Sequence, residues 1–313
     1  MQHWKKFYTL FACGCILSFG VCAQGAGHTQ HATGNEPGAS VEIDDESKEK
    51  SPITFRKSGL SLRSSMVLVV DQKTGQTLYA KNTDARAPIA SITKLMTAMV
   101  VLDANLPLDE RLAIGNEDVD ALRNTHSRLQ VGTKLSREMA LQLALMSSEN
   151  RAAAALARHY PGGFPAFVAA MNRKAASLGM AQTHFVDSTG LNSDNVSTAH
   201  DLVRMVQAAY KYPLIREMTT TGSYDVAMKA TGRQMQFKNT NMLVRNNSWQ
   251  IGLSKTGYIN EAGHCLVMQA EIAKQPMIIV LLDSWGKLSR IADAQRIKKW
   301  MESSLVVGKR RYS

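Results

Sequence analysis

The chain has 313 residues, 44% hydrophobic and 20% charged, with a net charge of +11 and a pI near 9.5. That length supports one large or two medium domains with a sizeable core, and the composition is that of a folded domain rather than a low-complexity chain. A basic surface suits nucleic acid, an anionic membrane or an anionic wall polymer. The basic residues are scattered and no nucleic-acid module is recognisable, so nucleic acid is excluded as a partner.

Residues 1–23 read as an export signal: a short basic start through Lys5 and Lys6, an uncharged apolar run from Phe7 to Val21, and a small-x-small site cut after Ala23. The run is short for a membrane span. Three of the four cysteines, Cys13, Cys15 and Cys22, fall in that segment. Cys265 lies in an apolar strand-like run and reads as a buried core thiol. Residues 24–62, rich in Gly, Thr and His and then acidic from Glu42 to Glu46, read as a flexible linker. His28 and His31 lack a third ligand at sensible spacing, so no metal is expected.

The folded part is expected from about Ser64, within a domain at 63–304. Met66 to Val70 and Gln76 to Ala80 form a hairpin around Asp71–Gly75. Ala90 to Leu102 is an apolar helix with Pro88 before it, and 108–135 is loop-rich. Further helices run from the cap Ser136 to about Ser147, Glu149 to His159, and Phe164 to Leu178. Another opens at the cap Ser197 and ends before Pro213. Three strands follow, Trp249 to Leu253, Cys265 to Ile272 and Met277 to Leu282, then an amphipathic helix, Arg290 to Glu302, and a basic tail, 305–313. The order implies one antiparallel sheet shared by the N- and C-terminal segments, with a helical region inserted.

Three short motifs carry chemistry. In Ser91-Ile92-Thr93-Lys94 the lysine stands one turn after the serine on the same face, among Ile89, Leu95 and Met96. Burial lowers a lysine pKa, and a neutral amine beside a hydroxyl is a competent base. Taken alone, the same residues fit a helix cap and a snorkelling lysine. Ser148-Glu149-Asn150 falls at a junction between helices. There Ser148 can relay a proton, Asn150 can hold Lys94 and a substrate carbonyl, and Glu149 is expected to point into solvent or an ion pair. Lys255-Thr256-Gly257 follows a strand. Lys255 and Thr256 suit a carboxylate, and Gly257 leaves room for a substrate strand. The backbone N–H groups of Ser91 and Tyr258 would form an oxyanion hole. Each motif alone is weak. The ordered set is the signature of serine acyl-transferases that bind penicillin.

Longer stretches extend the match: Pro88 to Thr97, Leu145 to Ala153, Asp187-Ser188-Thr189-Gly190-Leu191, Ser197 to Leu202, and Ser254 to Met268. Over roughly residues 62 to 303 the chain resembles low-molecular-mass penicillin-binding proteins of the D-alanyl-D-alanine peptidase family, closest to its endopeptidase subgroup. The resemblance implies an α/β (α+β) penicillin-binding transpeptidase/β-lactamase-like fold. It implies Ser91, Lys94 and Ser148 as catalytic, and Asn150, Lys255, Thr256, Gly257 and Tyr258 as substrate-binding. No cofactor is implied. Peptidoglycan stem peptides would be the substrate and β-lactams covalent inhibitors, in the periplasm, with peripheral wall or membrane association. A carboxypeptidase that trims pentapeptide stems, and an inert wall-binding module, stay open. A β-lactamase is disfavoured because no Glu-x-x-Leu-Asn loop is present.

Overall fold

The computed structural model describes residues 59–228, 233–246 and 248–310. The expected signal, most of the linker, Cys13, Cys15, Cys22, His28, His31 and the last residues of the tail lie outside them. The first hairpin is β1 (Ser64–Asp71) and β2 (Thr77–Lys81). The Asp71 carboxylate accepts from the N–H groups of Lys73 and Thr74, and Gly75 takes φ +73°, which closes the turn. A two-residue strand β3 (Ala87–Pro88) leads through a single 3₁₀ turn, Ala90–Thr93, into helix α1 (Lys94–Asp103). Ser91 therefore sits in a 3₁₀ turn and not inside an α-helix.

The inserted region continues with β4 (Arg111–Ala113), β5 (Lys134–Ser136), α2 (Arg137–Met146), α3 (Asn150–Arg158) and α4 (Gly163–Ser177). Ser136 caps α2 as expected, accepting from Met139 N–H at 3.1 Å. After β6 (Val196–Ser197) comes α5 (Ala199–Ala209), whose cap is Thr198 and not Ser197. The Thr198 hydroxyl accepts from Asp201 N–H, while the Ser197 hydroxyl is turned to Thr183. Pro213 does not only end a helix; it opens α6 (Pro213–Thr220) at a first-turn position, where its missing N–H is harmless. A hairpin absent from the expected elements, β7 (Ser223–Met228) and β8 (Arg233–Lys238), follows.

Three ten-residue strands, β9 (Gln250–Ile259), β10 (Gly263–Ile272) and β11 (Gln275–Ser284), complete the main sheet before helix α7 (Ser289–Arg310). The sheet order is β2-β1-β11-β10-β9, antiparallel throughout, so both ends of the domain meet in one sheet as expected. β9 runs through Lys255–Gly257 rather than stopping before it. The motif is thus part of an edge strand with one row of backbone groups outside the main-sheet ladder.

Strand apolarity follows from layering. On β1, Leu68 and Val70 face the helical region, while Val67 and Val69 pack with Ala294, Ile297 and Met301 of α7. A strand covered on both faces reads as a continuous apolar run. Helix α1 is buried nearly all round, and its one lysine, Lys94, is buried with it. Cys265 is fully buried, and burial raises its thiol pKa to about 11, the inert core thiol expected.

Asp293 of α7 pins the outer layer. Its carboxylate accepts from Ser64 N–H and Ser64 Oγ, both at 2.7 Å, and from Arg63 N–H at 3.1 Å. Arg296 pairs with it from the half-exposed side. Asp293→Ala is expected to cost about 2–4 kcal/mol, because buried donors lose their acceptor. A lowered urea midpoint with an unchanged slope would record it.

Candidate active site

The sequence places a buried lysine next to Ser91, and three acceptors converge on it. Lys94 Nζ donates to Ser91 Oγ at 2.8 Å, Asn150 Oδ1 at 2.8 Å and Thr189 O at 2.7 Å. Burial lowers the Lys94 pKa from 10.5 to about 7, against the raising influence of Asp187 and Glu149. A neutral amine keeps two N–H donors and one lone pair. Asn150 and Thr189 take the two donors, which aims the lone pair at the Ser91 hydroxyl. The amine is thereby poised to accept the Ser91 proton.

Lys94 and Ser91 are three residues apart, which eclipses them in a 3₁₀ turn. The turn is held from outside. Ile89 N–H donates to Asn195 O, Asn195 Nδ2 donates to Thr93 Oγ1, and Thr97 Oγ1 donates to Ser188 O at 2.7 Å. The 187–195 loop that supplies these partners is organised by Asp187. Its Oδ1 accepts from Thr189 N–H at 2.6 Å and Gly190 N–H at 2.5 Å, and its Oδ2 from Asn192 N–H at 2.7 Å. Asp187→Asn removes a charge that raises the Lys94 pKa. The pH midpoint of Ser91 acylation is therefore expected to move to lower pH, read from acylation rates across about pH 5–9.

Two residues flanking the chemistry, Ala90 (φ +47°) and Ser148 (φ +62°), lie in the left-handed region that non-glycine residues avoid. Such strain persists only where the surroundings over-determine it. Ser148 Oγ accepts from Lys255 Nζ at 2.9 Å, which joins the second motif to the third. Lys255 is also buried, and its pKa is pushed well below 10.5 by burial first, then by Lys94 in its protonated form and by Arg290. Arg290, not singled out by any sequence motif, donates to Gly257 O at 2.9 Å and contacts His264 Nδ1 at 3.2 Å. Its Nε is buried without a hydrogen-bond partner among the described residues. Lys255 and Arg290 together make this end of β9 receptive to a carboxylate.

The remaining site residues depart from expectation in detail. Glu149 turns away from solvent and takes hydroxyl and backbone donors rather than a cation. It is buried and accepts from Ser127 Oγ at 2.7 Å and Arg128 N–H at 3.4 Å. Asn150 does hold Lys94, but its Nδ2 donates to Thr125 Oγ1 at 3.0 Å. The Thr256 hydroxyl donates to Thr240 Oγ1 at 2.7 Å. Gly257 is needed by the protein itself, since a Cβ there would meet Ile89 O at 2.9 Å and Ser91 N at 3.1 Å. The bare strand is what lets β9 approach the Ser91 turn. Tyr258 is exposed, stacks on His264 at 4.2 Å, and donates its hydroxyl proton to Asn260 Oδ1. The arrangement provides a hydroxyl with a neutral amine as base, a second hydroxyl tied to a lysine, an edge strand and a cationic end. Those are the parts of serine acyl transfer.

Comparison with known proteins agrees with this chemistry. Residues 53–286 match the family described as D-alanyl-D-alanine carboxypeptidase. The chain is 52% identical over 254 residues to a D-alanyl-D-alanine endopeptidase of Pseudomonas aeruginosa, covering 80% of this chain and 82% of that protein. It is 47% identical over 246 residues to the D-alanyl-D-alanine endopeptidase of Escherichia coli, covering 79% of each. Among solved structures, the Streptomyces K15 DD-transpeptidase superposes with a TM-score of 0.71 at 32% identity, covering 77% of this chain and 97% of that one.

Proposed function

The chain belongs to the D-alanyl-D-alanine carboxypeptidase family of serine peptidases, and we propose that it is an exported D-alanyl-D-alanine endopeptidase that cuts D-alanyl–diamino acid cross-links in peptidoglycan. Residues 1–23 direct export to the periplasm and are removed, 24–62 tether, 63–304 form the peptidase domain, and 305–313 are a basic tail. The observation that carries the reading is the Ser91–Lys94 pair, 2.8 Å apart, with the amine pKa lowered to about 7.

Ser91 Oγ attacks the carbonyl carbon of a D-alanine residue while Lys94 Nζ takes the hydroxyl proton. The oxyanion is received by the N–H groups of Ser91 and Tyr258. The C–N bond breaks as the leaving amine, on a neighbouring stem's diamino acid, takes a proton through Ser148 from Lys94. Water, deprotonated by the same amine, then hydrolyses the ester and restores Ser91. Lys255, with Thr256 and Arg290, holds a carboxylate on the leaving side. Penicillin offers the same carboxylate and a strained amide, so it acylates Ser91 covalently.

The test is purified protein with cross-linked muropeptide dimer and, separately, monomeric pentapeptide. Conversion of dimer to monomers by wild type and not by Ser91→Ala is expected. Release of D-alanine from pentapeptide with dimer untouched would replace the reading with a carboxypeptidase. Equal activity in Ser91→Ala would remove the mechanism.

A further inference from the structure

Two bridges join the helical region to the sheet around Ser91. One, Lys255 to Ser148, belongs to the chemistry. The other has no part in it: Arg123 Nη2 meets Glu261 Oε2 at 2.9 Å, and Arg123 Nε donates to Leu191 O at 2.5 Å.

Arg123 is built into the site from its own side. Asp120 folds the loop around it, accepting from the N–H groups of Leu122, Arg123 and Thr125 and from the Thr125 hydroxyl. Thr125 Oγ1 accepts from Asn150 Nδ2, and Asn150 Oδ1 accepts from Lys94. Leu191 lies two residues beyond Thr189, the other acceptor of Lys94. Arg123 is thus tied to the base by two routes, its backbone through Asp120, Thr125 and Asn150, and its guanidinium through Leu191. Its anion partner is held less firmly. Glu261 lies on the turn between β9 and β10, and its side chain is 48% exposed against 20% for Arg123. An exposed ion pair is screened by solvent and weakly held, so exchanging Glu261 for another carboxylate costs little.

The position of the pair says which carboxylate. On the reading proposed above, on which this inference rests, the leaving amine is at Ser148 beside Lys255. The acyl portion then runs along the β9 edge past Gly257 and Tyr258 toward Glu261. A planar guanidinium at that end suits a carboxylate on the acyl side. We propose that Arg123 recognises a free carboxylate on the acyl-donor stem peptide, and that Glu261 is an internal placeholder which the substrate displaces. Specificity for acidic stems is thereby set at the turn just beyond β9, apart from the leaving-side anion subsite.

The readout is the ratio of KM values for two substrates of the purified protein: a cross-linked dimer with its donor-stem carboxylates amidated, and the same dimer with them free. For wild type the ratio is expected to be about tenfold, the worth of one charge-assisted contact. Arg123→Gln should bring it to about one, with kcat for the amidated dimer falling no further than its KM requires. Glu261→Gln, which removes the competing carboxylate, should raise the ratio about threefold. A wild-type ratio of one, a full ratio retained in Arg123→Gln, or Glu261→Gln behaving as Arg123→Gln does would make the pair a structural strut and overturn the proposal. Wild type cleaving neither dimer would instead overturn the endopeptidase reading.

Discussion

Lys94→Met is expected to lower the rate of Ser91 acylation by penicillin about 10²–10⁴-fold while making the protein harder to unfold at neutral pH. The loss follows from the role of the amine: it is the group within reach of the Ser91 proton, and removing a positioned general base costs about that much. The gain follows from burial. Lys94 is fully enclosed and its pKa falls from 10.5 to about 7, so the folded state binds the proton more weakly than the unfolded chain does. Between those values the unfolded state carries more protons, and stability rises with pH. The cost is fully present below about pH 7 and is gone above 10.5. Lys255, shifted the same way, adds to the slope. Methionine fills the same volume without a charge to desolvate and should return a few kcal/mol at neutral pH, less the hydrogen bonds that Lys94 makes to Asn150 and Thr189. Urea unfolding of wild type and Lys94→Met at about pH 7 and pH 9 would show a smaller pH difference in the variant. The same titration sets the activity profile: acylation by wild type should rise with pH through about 7 as the amine loses its proton. A rate flat between about pH 5 and 8 would show that Lys94 is not the base.

Gly190→Ala should be the most damaging single methyl in the domain. Gly190 has φ +79°, which alanine adopts at a cost of about 1–2 kcal/mol. An added Cβ would also lie 1.9 Å from Ala90 O and 2.9 Å from Ser91 N, backbone atoms that no rotamer can move aside. Overpacking typically costs about 1–3 kcal/mol more, for a total of about 2–5 kcal/mol. Relief requires the 187–192 loop to withdraw from the Ser91 turn. Withdrawal takes Thr189 O away from Lys94 and releases the restraint on the amine lone pair. Acylation by penicillin and the thermal midpoint should therefore fall together. Gly75→Ala, at φ +73° but in open space on an exposed turn, should cost only the backbone strain and leave acylation intact. If Gly190→Ala matched Gly75→Ala in both readouts, the close contact with Ala90 would carry no weight.

Some of this is readable from residues close in the chain. Ser91 and Lys94 share a turn, so their meeting needs only local geometry. Apolar runs such as Val67–Val70 and Met277–Leu282 disclose strands covered on both faces, and their places at the two ends of the domain imply one sheet. Misreadings arise where a residue type has two uses. Pro213 ends one helix and begins another, and Thr198 rather than Ser197 caps α5, since capping depends on which hydroxyl faces the open N–H. Gly257 is legible as a residue that must stay bare, but the reason, the approach of β9 to Ile89 and Ser91, comes from a distant part of the chain.

The order of residues alone points to the candidate reacting groups: a serine and lysine one turn apart, a second serine, an asparagine, and a lysine on a strand, in a sequence that belongs to one family. The state of those groups is a property of the folded molecule. Thr189 O aims the Lys94 lone pair, and burial, with Arg290 nearby, pushes the Lys255 pKa down. Glu149 turns inward to Ser127, and Arg123 meets Glu261 across the cleft. Desolvation and hydrogen-bond direction depend on what surrounds an atom. Here the surroundings come from segments far apart in the chain, which no local pattern encodes.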